Sequence, residues 1–381
     1  MKVPLSRPWV TKEDIEAVGE VLMTPNLSLG PKLVDFENML AKVAQRKYAV
    51  AVNSGTSALH LIVKSLGIKE GDEVITTPFS FIASSNSILF ENAKPVFVDI
   101  RSDTYNIDPD LIEMSITDKT KAILAVDVFG QPADWDEISE IAKKYHLKLI
   151  EDSAESIGSE YRGMKAGSFG DAAIFGFYPN KQITTGEGGV VVTDREDVYK
   201  LSKSMRNQGR GEVDTWLEHM RLGYNYRIAD INCALGISQL QRLDEIIEKR
   251  SQLANLYYEK LKDIEEVVTP YIAPTTTKMS WFVYVVLLNK KFNRVQRDAV
   301  IEKLAALGVE SREYFSVIHL QPFYRGKFGF KKGDFPIAES ISERTIALPF
   351  YTMMNEEEVD YVVDSLKKVL LEVKRVEKFC K

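Results

Sequence analysis

Apolar positions recur along this chain at two periods, and the two periods alternate. Residues 11–23 and 31–45 carry apolar side chains at helical spacing, which predicts two amphipathic helices. YAVAV at 48–52 is a continuous apolar run and predicts a buried strand. SALHLIVKSLG at 57–67 returns to helical spacing and stops at Gly67. The succession continues with EVITT (73–77) as a strand, 81–92 as a helix and PVFVD (95–99) as a strand. KAILAV (121–126), a helix over 134–145 and LKLIED (147–152) extend it. This alternation predicts an α/β fold, with a mostly parallel central sheet flanked by helices. After GGVVVTD (188–194) the pattern changes to a long helical stretch over 229–262. The strand SWFVYVVLL (280–288), a helix near 294–307 and a C-terminal helix near 355–373 follow. We therefore expect a large α/β domain over 1–245 and a smaller C-terminal α+β domain over 246–381.

Composition narrows the classes of function. With 381 residues, 45% of them hydrophobic, the chain has material for a large core. A net charge of −6 with no basic cluster argues against nucleic acid or an anionic membrane as the main partner. Cys233 and Cys380 belong to no CxxC or Cys/His group, so neither a zinc centre nor a disulfide framework is expected. A reducing cytoplasm fits that usage. MKVPLSRPWV lacks the apolar region of a signal peptide, and WFVYVVLL (281–288) is too short to span a bilayer.

Ligands of open parallel sheets bind beyond the carboxyl ends of the strands. Three segments fall there. In VNSGTSAL (52–59) a strand gives way to Ser54-Gly55-Thr56 and then to a helix, whose first N–H groups make an anion site. Simple helix capping explains the same residues. In IEDSAESIG (150–158) an apolar strand delivers Glu151 and Asp152, which could pair with a ligand cation or serve a structural ion pair. In FGFYPNKQITTGEGG (175–189) Lys181 precedes the glycines, the reverse of a phosphate-binding GxxxxGK[ST] loop. That order leaves a nucleophile or a plain loop lysine. Taken together, an anion turn, a strand-end aspartate and a later lysine are what pyridoxal phosphate requires. Its phosphate needs donors, its ring nitrogen a carboxylate and its aldehyde an amine.

The ordered motifs extend this reading. VPLSRPWV, LSLGPKLVDFE (27–37), AVNSGTSALHL (51–61), GDEVITTPFSFIAS (71–84), IEDSAESIGSEYRG, FGFYPNKQITTGEGGVVVTD, LGYNYRIADINCALGISQL (222–240) and HLQPFY (319–324) run nearly end to end. In that order they resemble the DegT-type sugar-nucleotide aminotransferases, which have the fold-type-I architecture and use pyridoxal 5'-phosphate. The resemblance implies that Lys181 is the Schiff-base lysine and Asp152 the partner of the ring nitrogen. It places Phe81 against the cofactor ring and Gly55 and Thr56 at the phosphate. Asn225 matches an asparagine that reaches the phosphate from the neighbouring subunit, which implies a homodimer with active sites at the interface. Tyr314 and His319 fall where the family binds substrate.

Two positions depart from the family pattern. Gly176 stands where a phosphate-binding serine is usual, and Glu155 where histidine or glutamine is common. Glu155, KQITTGEGG and GYNYR resemble the perosamine-synthase-like branch, which aminates C4 of 4-keto-6-deoxy sugars. The implied substrates are a nucleotide-linked keto sugar and L-glutamate, with 2-oxoglutarate as a product. Amination at C3 is the nearest alternative, and a non-catalytic protein that binds cofactor or sugar is another. Related dehydratases carry histidine in place of the lysine, so Lys181 argues against that chemistry. His60 and Cys233, both in helical runs, read as structural.

Overall fold

The computed structural model describes residues 1–211 and 218–379; Cys380 lies outside the described residues. Strands β1 (Tyr48–Val52), β2 (Glu73–Thr76), β3 (Lys94–Phe97), β4 (Thr120–Val126) and β5 (Lys148–Asp152) occupy the expected runs. A short pair, β6 (Glu160–Tyr161) and β7 (Met164–Lys165), precedes β8 (Ala172–Gly176) and β9 (Gly189–Thr193). The main sheet has seven strands in the order β1-β9-β8-β5-β4-β2-β3. β9 pairs antiparallel with both β1 and β8, and the other pairings are parallel. Only β9 therefore runs against the rest, and the ends of β1, β5 and β8 open on one edge.

Alternate strand residues point to opposite faces. Val50, Val52, Leu124 and Ile150 pack in one core with Leu59 and Ile62 of the helix Gly55–Ser65. Ala51, Phe175 and Val190 face the other way, against Leu33, Phe36 and Leu40 of the helix Pro31–Val43. Both faces are covered, which accounts for the near-continuous apolar strands. Asp230 secures the start of Pro31–Val43 by accepting from the N–H groups of Gly30 (2.8 Å) and Lys32 (3.1 Å).

The helical stretch over 229–262 divides at Arg242 into Asp230–Gln241 and Leu243–Leu261. The second helix joins two cores. Leu243, Ile246 and Ile247 belong to the core of the main sheet, whereas Leu253, Ala254, Tyr257 and Leu261 pack with the C-terminal elements. Those elements include β10 (Val267–Val268), β11 (Thr276–Lys278), β12 (Tyr284–Leu288) and β13 (Thr345–Leu348). β10, β12 and β13 form an antiparallel sheet, and β11 pairs with β6. β12 starts later than its apolar run because Trp281 takes a left-handed conformation, φ 53°.

Candidate active site

A cavity of about 750 Å³ opens where β1, β5 and β8 end and β9 begins. Gly55, Thr56, Phe81, Asp152, Glu155, Lys181 and Tyr314 all line it. Asn225 and His319 do not.

The anion turn sits between strands. Ser54 caps the helix Gly55–Ser65, its side chain accepting from Ser57 N at 3.1 Å. The cap leaves Gly55 and Thr56 in the first turn, where backbone N–H groups have no partner inside the helix. In the sheet register Gly189 lies opposite both Val52 and Gly176. A Cβ on Gly189 would stand 2.5 Å from Ser54 O and 2.6 Å from Gly55 N. Gly189 thus lets the backbone press against the turn, as glycine allows. A Cβ on Gly176 would meet Ala154 Cβ at 3.6 Å, an ordinary contact, so space for the usual serine is present.

Strand alternation separates the two carboxylates of β5. Asp152 enters the cavity. Glu151 instead accepts from Gly167 N (2.6 Å), Phe169 N (2.8 Å) and Ser153 Oγ (2.5 Å). Ser84 Oγ donates to Asp152 Oδ2 at 2.7 Å, and Ala154 N donates to Oδ1 at 3.2 Å. Burial pushes the Asp152 pKa up, opposed by the Ser84 and Ala154 hydrogen bonds and by the charge of Lys181. The carboxylate is thereby oriented but weakly solvated, ready to gain from a cationic partner. Ser84 was not identified from sequence. Four serines lie between residues 80 and 87, and only the hydrogen bond to Asp152 distinguishes one of them.

Lys181 follows β8 in a turn closed by Lys181 N donating to Tyr178 O at 2.9 Å. Its Nζ lies 3.5 Å from Glu155 Oε1 and 3.8 Å from the centre of the Phe282 ring. Glu155 Oε2 accepts from Phe129 N at 2.9 Å, which holds the carboxylate in place. Burial raises the Glu155 pKa, and the charge of Lys181 opposes that rise. Tyr314 stacks on Phe129, Phe282 and Phe315 in the opposite wall. Phe282, supplied from the C-terminal half, carried no sequence signal of its own.

His319, expected at the substrate, lies behind the cavity wall and not on it. Its side chain is fully buried, Nε2 lies 3.0 Å from Glu339 Oε1, and the ring packs edge-on against Phe335. Burial lowers its pKa, opposed by the bond to Glu339. Neighbouring Ile318 faces the cavity in its place. Asn225 is exposed, and its carbonyl accepts from Asn53 Nδ2 at 3.4 Å beside the anion turn. His60 is structural, as its helical setting suggested. Its ring nitrogens lie 3.0 Å from Tyr226 Oη and 2.8 Å from Glu91 Oε1.

These residues fit pyridoxal phosphate. The glycine-lined turn offers backbone donors, Asp152 offers a buried carboxylate, Lys181 an amine, and Phe81 exposes 63% of its surface beside them. Among the described residues no group of acidic, histidine or cysteine side chains could hold a metal ion. No helix among them is long and apolar enough to cross a membrane.

Comparison with known proteins agrees with this geometry. Residues 8–367 match the DegT/DnrJ/EryC1/StrS aminotransferase family. GDP-perosamine synthase from Caulobacter vibrioides is 39% identical, over 97% of this chain and 99% of its own length. PseC of Helicobacter pylori, an aminotransferase involved in the biosynthesis of pseudoaminic acid, has TM-score 0.93 and 31% identity. That match covers 97% of this chain and 99% of PseC. The PLP form of Spr1654 from Streptococcus pneumoniae has TM-score 0.93 and 29% identity, covering 98% of this chain and 100% of that one. The chain belongs to the DegT/DnrJ/EryC1/StrS aminotransferase family and is a pyridoxal-phosphate-dependent enzyme.

Proposed function

We propose that this sugar aminotransferase moves the amino group of L-glutamate to C4 of a nucleotide-linked 4-keto-6-deoxy sugar. The observation that carries the position is the full-length likeness to proteins named GDP-perosamine synthase, at 39% and 36% identity. Glu155 inside the cavity accords with that branch.

Each residue then has a task. Gly55 and Thr56 would hold the cofactor phosphate, and Phe81 would lie against the ring. Asp152 would keep the ring nitrogen protonated, since the ion pair offsets the burial of its carboxylate. When bound, pyridoxal phosphate supplies an electron sink for charge left on carbon. Lys181 Nζ would take the proton from the α-carbon of glutamate, acting as general base, and later return a proton as general acid. Glu155 would receive the ammonium of Lys181 while that lysine waits.

The same reading calls for a homodimer. Among the described residues, Lys181 is the one cation lining the cavity, against the carboxylates of Asp152, Glu155, Glu187 and Glu313. The phosphate, glutamate and a nucleoside diphosphate are all anions, so further donors must come from outside this cavity. Asn225, exposed beside the anion turn, is suited to serve a partner subunit. We place the enzyme in the cytoplasm. We also set the boundary between its two domains near residue 245, at the start of the helix that joins the two cores.

Incubation with L-glutamate and a panel of nucleotide-linked 3-keto and 4-keto sugars tests the assignment, with 2-oxoglutarate and amino sugar as readouts. Amination of 4-keto substrates is expected. Strong activity on 3-keto sugars alone would overturn the C4 assignment, and binding without nitrogen transfer would favour a regulatory protein.

A further inference from the structure

Arg250 lies on the helix Leu243–Leu261, 2% exposed, behind the lysine rather than in the cavity. Its bonds go to neutral groups. Nε donates to Trp281 O at 2.7 Å, Nη2 to Phe282 O at 2.8 Å, and Nη1 to Thr352 Oγ1 at 3.1 Å. The guanidinium lies over the Phe350 ring, 4.8 Å from its centre. Burial pushes its pKa down to about 9, which leaves it a cation at neutral pH.

Two connections lead from Arg250 to Lys181. The first is the backbone it grips. Trp281 has φ 53°, a conformation that bulky residues rarely adopt, and the next residue, Phe282, turns its ring to Lys181 Nζ at 3.8 Å. Attraction of an ammonium to a ring face confines the end of an otherwise flexible side chain. The second is a small polar cavity of about 10 Å³, lined by Asn180, Lys181, Gln182, Arg250 and Thr352 among others. That volume is close to what one water needs. Asn180 Oδ1 and Gln182 Oε1 are buried and have no hydrogen-bond partner among the described residues. These two acceptors flank Lys181 in the chain. A water in this cavity can accept from the guanidinium and donate to them.

We propose that Arg250 is a positioning residue for Lys181, clamping Trp281–Phe282 so that the ring covers the ammonium and bracing the Asn180–Gln182 turn through one buried water. The proposal rests on the reading of Lys181 as the lysine that carries the cofactor. A reacting atom misplaced by 1 Å can cost about 100-fold in rate.

The test uses cofactor-free protein and four variants. Covalent attachment of pyridoxal phosphate is followed by visible absorbance, and the reloaded enzyme is given a single turnover with L-glutamate. Arg250→Gln is expected to slow attachment and the glutamate step by about tenfold or more, with apparent glutamate affinity changed less than about threefold. Arg250→Lys, which keeps the charge and part of the carbonyl bonding, should recover part of both rates. Phe282→Leu should reproduce the slow attachment while the variant remains folded, which thermal unfolding checks. Wild-type rates in Arg250→Gln or in Phe282→Leu would overturn the proposal. If Arg250→Gln fails to fold, Phe282→Leu alone decides. Attachment that persists in Lys181→Ala would overturn the assignment of Lys181, and this proposal with it.

Discussion

Gly176 and Gly189 face each other across β8 and β9, yet alanine should be tolerated at the first and damaging at the second. A Cβ on Gly189 would lie 2.5 Å from Ser54 O, whereas ordinary contact begins at 3.4 Å. The difference, 3.4 − 2.5 = 0.9 Å, is how far the Ser54–Gly55 peptide must retreat. The obstacle is backbone held in the turn, so it cannot swing aside as a side chain would. Overpacking of this kind costs about 1–3 kcal/mol of stability. The retreat also misaligns the turn's N–H groups, and a hydrogen bond to a charged group contributes about 1.5–3 kcal/mol. Loss of one such bond weakens the cofactor by about tenfold or more, since 1.4 kcal/mol is a factor of ten. At Gly176 the nearest atom to a new Cβ is 3.6 Å away, so Gly176→Ala should leave stability and affinity unchanged or slightly improved. Gly176→Ser adds a hydroxyl near the turn and should tighten cofactor binding about three- to tenfold, less than a full charged hydrogen bond. Titration of the cofactor-free proteins with pyridoxal phosphate, together with thermal unfolding, measures both effects. If Gly189→Ala binds as tightly and melts as high as Gly176→Ala, the steric account of the turn is wrong.

Ser84→Ala removes the side-chain hydrogen bond that lowers the Asp152 pKa, so that pKa should rise further. The acid limb of the kcat/KM profile then moves to higher pH; an unchanged limb would count against Asp152 as the group that must be ionised. Asp127, fully buried after β4 and linked to Glu151 through Ser153 Oγ, has its pKa raised by burial from 3.8 to about 6. A raised carboxyl contributes stability that is fully present below its unfolded pKa and lost as pH rises through its folded one. The wild type should therefore lose stability relative to Asp127→Asn between about pH 4 and pH 6, read as the difference in Tm across that window; a constant difference would refute it. His319→Ala empties a buried site and removes one partner of Glu339, which keeps the N–H groups of Gly333 and Phe335, so urea unfolding should report a loss of about 2–4 kcal/mol. Turnover per folded molecule should stay within about twofold, whereas a large fall in kcat would restore His319 to the site.

Much of the fold was legible because its signal is local. The strands from Tyr48–Val52 to Lys148–Asp152 are apolar runs, and the helices between them repeat at helical spacing. The two-residue strands β6, β7 and β10 were not legible. β6 and β10 are set by pairing with segments further along the chain, and β7 by a tight hairpin with β6, none by a period of its own. The continuous helix expected over 229–262 concealed a break at Arg242, because the apolar spacing runs through it.

For the site, sequence alone determined the ordered set of anion turn, strand-end carboxylates and lysine, and the resemblance assigned Asp152 and Lys181 their roles. Those residues sit at the ends of elements whose periodicity is local, so their placement follows once the strands are recognised. Tertiary structure alone decided that Ser84 orients Asp152, that Phe282 covers Lys181 and that Arg250 holds Phe282. It also withdrew His319 behind the wall that Ile318 forms. Each of these depends on contacts between segments distant in sequence, and no spacing along the chain records which of them will meet.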